Sequence, residues 1–157
     1  MIKLKDLLFE ARAPKIFIPR RTDDRVERML KQYIRDGSEG YLDLSEMDLI
    51  ELPEILKNIS VGGGFSCMTN ILKSLKNSPK EVDGNFDCLF NKLISLQGAP
   101  SNISGDFDCR YNRLTSLEGA PKIVSGDFYC SNNRVQFTEE QVIAVCDVKG
   151  NIIVWLN

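Results

Sequence analysis

Four cysteines, Cys67, Cys88, Cys109 and Cys130, recur every 21 residues, each two residues after a phenylalanine and three before an asparagine. Thiols at a fixed step could hold a metal ion or pair as disulfides. Zinc asks for a tetrahedron of ligands, usually supplied by Cys-x-x-Cys pairs or histidines. This chain has no such pair and no histidine, and four equivalent positions on stacked strands form a line. The cysteines therefore read as small buried hydrophobes, with Cys146 a fifth thiol outside the pattern. Neither a metal nor another cofactor is expected, and free thiols fit a reducing compartment. The missing histidine also removes the commonest general base at neutral pH. There is no Walker-type phosphate loop and no Gly-x-Ser-x-Gly elbow. The run Gly62-Gly63-Gly64 precedes a strand-like segment rather than a helix, which makes it a poor phosphate cradle. These residues predict a protein without enzymatic activity.

The elements that place the cysteines are a repeat. Phe65, Phe86, Phe107 and Phe128 open each unit, Asn70, Asn91, Asn112 and Asn133 follow, and Leu72, Leu93 and Leu114, then Leu75, Leu96 and Leu117, keep the same step. Pro79, Pro100 and Pro121, Val61, Val82, Ile103 and Val124, and Gly63, Gly84, Gly105 and Gly126 complete the phase. A period near 20 residues means a solenoid, because one unit cannot bury its own apolar face and must stack on its neighbours. The Phe-x-Cys alternation predicts a short strand with both side chains inward, stacked in parallel on its equivalents into one sheet. After each strand the backbone turns, and an inward Asn can satisfy the turn's unpaired backbone groups and those of the next coil. The four asparagines should form a ladder.

The unit F-x-C-x-x-N-x-L resembles the leucine-rich repeat signature L-x-L-x-x-N-x-L, with Phe and Cys where two leucines are usual; the likeness spans about 90 residues. It implies an α/β repeat solenoid with a concave parallel sheet that binds partners. The outward strand positions would line that sheet, among them Asp87, Asp106, Asp108, Arg110, Asp127 and Tyr129, with Phe90 and Tyr111 at its rim. Aspartates with nearby aromatics suggest a protein partner with a basic surface, set against the plainer reading of an ordinary solvated strand face.

Around the repeats the chain divides into a possible leader at 1–10, a linker and capping helix at 11–36, about five coils at 37–133 and a C-terminal cap at 134–157. Val26, Met29, Leu30, Tyr33 and Ile34 fall at helical spacing, with Thr22 or Asp23 as N-cap and Gly37 as stop. Leu42 and Leu44 start a degenerate first coil in which Met47 replaces the Asn, and the next step is 23 residues. Beyond Asn133, Val135 takes a leucine place, Thr138-Glu139-Glu140-Gln141 has capping-box spacing, and Ile152–Leu156 reads as a strand.

Residues 1–10 resemble the capsid-targeting leader of internal proteins of large contractile-tailed phages of the T-even type. That family's leader is removed after a Leu-x-Glu or Ile-x-Glu triplet, which would place processing at Leu8, Glu10 and Ala11. The resemblance implies a protein packaged in a phage head and delivered to engage a host protein, acting in the host cytoplasm or held in the virion interior. Two alternatives are a structural virion protein and the substrate-binding domain of a bacterial leucine-rich-repeat effector. Residues 11–36 carry eight basic and four acidic groups and residues 37–157 ten and sixteen, so the overall charge of -2 gives no general pull toward nucleic acid. No apolar run approaches the 18 residues of a membrane span. A monomer is expected.

Overall fold

The computed structural model describes residues 24–155. The chain winds into a parallel β-solenoid of about five coils, with a helix α1 (Asp24–Arg35) before it and a short helix α2 (Glu139–Ile143) near its end. Strands β1 (Leu42–Asp43), β3 (Phe65–Ser66), β5 (Phe86–Asp87), β7 (Phe107–Asp108), β9 (Phe128–Tyr129) and β11 (Ile152–Ile153) pair in that order as sheet A. The expected register holds, since Phe65, Phe86, Phe107 and Phe128 stand opposite one another at 21-residue steps.

One sheet was expected and two are present. Strands β2 (Ser60–Val61), β4 (Glu81–Val82), β6 (Asn102–Ile103), β8 (Ile123–Val124) and β10 (Asp147–Val148) pair in parallel as sheet B. Val61, Val82, Ile103 and Val124 are its inward residues. Between the sheets each coil turns a corner at Gly63, Gly84, Gly105 or Gly126. At Gly105 a side chain has no room, because a Cβ there would lie 2.7 Å from the Gly84 carbonyl carbon and 2.2 Å from Asn85 Oδ1.

The core is a set of columns. The rings of Phe65, Phe86, Phe107 and Phe128 stack at centroid distances of 5.2, 5.6 and 5.1 Å, and Cys67, Cys88, Cys109 and Cys130 are buried beside them. Burial pushes these thiols well above their ordinary range, Cys130 to about 12. The asparagine ladder forms, but it reaches back to the preceding coil rather than on to the next. Asn112 Oδ1 accepts the Leu93 amide at 3.0 Å, and its Nδ2 donates to Cys88 O at 2.9 Å. Asn70, Asn91 and Asn133 repeat this geometry.

Two departures come from the C-terminal end. The repeat reading stops at Asn133, yet β10 pairs with β8 and β11 with β9, so residues 134–155 carry both sheets onward. Val148, Gly150, Ile152 and Val154 take the Val, Gly, Phe and Cys places, 24 residues after β9. Val135 does not fill its leucine place; it is exposed while Phe137 is buried. At the other end Val26 and Leu30 of α1 are buried, with Met29 and Tyr33 packed against the core. Gly37 ends α1 in a left-handed conformation, and the Tyr33 hydroxyl donates to Ser38 O at 2.7 Å. The capping box of α2 is present, with Thr138 Oγ1 accepting from the Gln141 amide and Gln141 Oε1 from the Thr138 amide. Among the described residues no helix is long and apolar enough to cross a membrane.

Candidate functional site

The outer face of sheet A gathers the aspartates and aromatics singled out in the sequence, but it uses them in unequal ways. Because strand side chains alternate, the residues outside the sheet stack in columns. One column runs Asp43, Ser66, Asp87, Asp108, Tyr129 and Ile153 by strand register. Asp43, Asp87 and Asp108 each bend along their own strand, where Oδ1 accepts the backbone amide two residues on, at Ser45, Leu89 and Arg110 (2.9, 2.9 and 3.0 Å). These bonds satisfy amides left over as the two-residue strands end.

Asp106 and Asp127 point along the stack instead. Asn85 Oδ1 accepts the Asp106 amide at 2.9 Å, Asp106 Oδ1 accepts the Asp127 amide at 2.8 Å, and Asp127 Oδ1 accepts the Asn151 amide at 2.7 Å. This is a second side-chain ladder, directed forward, over the corner glycines. The bonds from Asn151 hold the Asp127 carboxyl below its usual range. The sequence places Asp106 and Asp127 on a binding patch; the structure gives the Oδ1 of each a structural bond, and Asp127 Oδ2 accepts a further one from Tyr129.

Arg110 is likewise committed. Its guanidinium straddles Asp108, with Nε 3.0 Å from both carboxylate oxygens and an ion pair at 2.5 Å, and it lies over the Tyr129 ring at 4.8 Å. The Asp108 hydrogen bonds raise its already high pKa. The Tyr129 hydroxyl donates to Asp127 Oδ2 at 3.1 Å. Asp87 is half-buried, and burial, with Asp108 and Asp43 adding like charge, raises its carboxyl above the usual range.

At the rim, Phe90 and Tyr111 stack at 4.5 Å between centroids, with 48% and 38% of their surface exposed. Both hold left-handed backbone, φ 52° and 50°. Glu46, Thr69 and Asn132 occupy the same turn position with similar φ. β-Branched and bulky side chains pay most for that region, so Thr69, Phe90 and Tyr111 are the strained members of this column, and two adjacent coils place aromatics there.

The face brings together Asp87, Asp108, Arg110 and Tyr129 on its columns and Phe90 with Tyr111 at its edge. It offers hydrogen-bond acceptors, one neutralised cation and an apolar pair. Among the described residues no group of three or more cysteines, aspartates or glutamates is placed to hold a metal ion, and the five free thiols are buried. Leu8, Glu10 and Ala11 lie outside the described residues. Compared with protein-family models, curated proteins and solved structures, the chain finds no match in any of the three.

Proposed function

We propose that this is a non-enzymatic, protein-binding solenoid of the leucine-rich-repeat class, with α1 as its N-terminal cap and α2 with β10 and β11 as its C-terminal one. Its outer sheet-A face takes a partner with a basic surface. The observation that carries this reading is the Phe90–Tyr111 stack, held half-exposed at a backbone cost, beside the Asp43–Asp87–Asp108 column. Exposed aromatics are the usual anchors of an interface, and like charges nearby select the partner's sign.

The leader-like start of the sequence supports packaging in a phage head and delivery to a host protein as the setting. Affinity of the purified protein for a candidate host partner is the test. Asp87→Lys should weaken it, Phe90→Ser should weaken it, and salt should weaken the wild type, because exposed charges are screened beyond about 8 Å at physiological ionic strength. A partner indifferent to all three does not use this face. For the leader, protein recovered from particles should begin at Ala11; recovery from Met1 removes that claim.

A further inference from the structure

One flank of the solenoid, past the rim of sheet A, carries charge of a single sign. On three successive coils the residue after the ladder asparagine is a cation: Lys92, Arg113 and Arg134. Asn91 and Leu93 beside Lys92 are buried, as are Asn112 and Leu114 beside Arg113, so the cations between them point outward. Backbone bonds from Lys92 N to Leu72 O and from Arg113 N to Leu93 O, at 2.8 and 2.9 Å, keep the coils stacked here, and the three cations form a column with a step of about 4.8 Å. Lys73, also exposed, stands one coil before Ile94 in the neighbouring column. Residues 71–76, 92–97 and 113–117 contain no carboxylate. None of the four cations pairs with one among the described residues. Apolar groups border the column, with the Phe90–Tyr111 stack on one side and Ile94, 59% exposed, on the other.

We propose that this flank binds an acidic α-helix of a partner protein, laid across the coils along the solenoid axis. Charge selects an acidic occupant, since unpaired cations in a row attract a row of carboxylates. Spacing selects its form. Two coil steps place the outer cations about 10 Å apart. Acidic residues at i, i+4 and i+7 of a helix cover about 10.5 Å on one face, whereas three alternate residues of an extended strand cover about 13 Å and run out of step. A helix is about 10 Å across, so one resting on the column also reaches Ile94 and Tyr111, which supply the apolar contact that charge alone lacks. Arg113, in the middle, offers its planar fork to a carboxylate. A nucleic-acid strand matches the column's sign but not the rest of the surface, because residues 37–157 hold sixteen acidic groups against ten basic ones and nucleic-acid binders present a net basic face. The flank is independent of the sheet A reading, whose aspartates call for a partner of the opposite sign. With both in use, the solenoid joins a basic surface to an acidic helix.

Two synthetic alanine-based helical peptides test this by fluorescence anisotropy with the full chain. One carries Glu at i, i+4 and i+7 with Leu beside that stripe; the other has the same composition with the Glu residues wound around all faces. The striped peptide should bind more tightly than its scrambled control, and added salt should weaken it. Arg113→Glu and Arg134→Glu should each weaken it by about fivefold or more, since reversal turns an attraction into a repulsion, while the thermal transition of the solenoid persists. Asp87→Lys should not weaken it, which separates this flank from sheet A. Equal binding of the two peptides, no binding of either, or binding indifferent to both arginine reversals overturns the proposal and leaves the sheet A reading standing. Loss on Asp87→Lys but not on Arg113→Glu overturns it as well. An oligothymidylate that binds more tightly than the striped peptide and is lost in Arg113→Glu overturns it in favour of a nucleic-acid strand.

Discussion

Replacing Asn112 with Ala tests the inner ladder most directly. Asn112 holds four backbone groups: it accepts from Leu93 N and donates toward Cys88 O, Cys109 O and Arg110 O, the last three at 2.9, 3.3 and 3.2 Å. The carbonyls are shared. Cys88 O also takes Asn91 Nδ2 at 3.2 Å, and Cys109 O takes Asn133 Nδ2 at 3.1 Å, so neither is orphaned by the substitution. The Leu93 amide is, in a buried position. An orphaned buried donor costs about 1–3 kcal/mol, and each weakened carbonyl bond adds a net loss of up to about 1 kcal/mol. The total is about 2–4 kcal/mol, a fall in Tm of roughly 10 °C for a chain of this size. Thermal unfolding followed by circular dichroism reads it, with two controls. Ser95→Ala and Gln97→Ala, whose positions are half-buried and exposed, should stay within about 0.5 kcal/mol of wild type. Equal midpoints for all three variants would refute the ladder as a source of stability.

Gly126→Ala should destabilise by about 1–3 kcal/mol, because the added Cβ would meet Asp106 Oδ1 at 2.2 Å and Gly105 C at 2.7 Å; a wild-type urea midpoint would contradict the corner packing. All five thiols should react with a disulfide reagent in denaturant without prior reduction. In the native state they should react slowly up to mildly alkaline pH, since burial pushes Cys146 to about 11 and Cys130 to about 12; fast native modification of any of them would contradict the burial. Asp87→Asn should raise stability at neutral pH and make no difference in acid. Burial raises this carboxyl above its unfolded value, so its ionised form is a cost to the fold, present above the folded pKa and relieved as pH falls below the unfolded one. An amide can keep the bond to the Leu89 amide; a difference that grows toward low pH would reverse this sign.

Sheet A and its ladder were legible because Phe, Cys and Asn vary little from coil to coil, so phase alone fixes which way they point. Sheet B was not. Its strands are as short as those of sheet A, but each contributes a single inward Val or Ile, which carries no alternation to recognise. The forward ladder escaped for another reason: period two tells which face Asn85, Asp106 and Asp127 occupy, but not that their side chains lie along the stack onto the next coil's amides. The signal was available, since Asn151 stands at the same place before Ile152. The last coil was hidden by the helical turn within it and by aliphatic residues in the Phe and Cys places. In the candidate site, the exposed Phe90–Tyr111 pair could be read from the repeat, whereas the pairing of Arg110 with Asp108 rather than with solvent could not.

The strand-to-strand steps of 23, 21, 21, 21 and 24 residues have a consequence for redesign. The two longer coils contain the helical segments Glu54–Asn58 and Glu139–Ile143, yet sheet A continues through both in register and sheet B through the second. Extra length is therefore absorbed on the side opposite the sheet corner, and guest loops should be tolerated at the turns Lys76–Asn77, Gln97–Gly98 and Glu118–Gly119 without shifting a strand. Duplicating one whole 21-residue coil would in turn lengthen the molecule by about 4.8 Å, adding one rung to each ladder and one row to the outer face. The protein is in this sense a ruler whose graduations can be added or decorated independently.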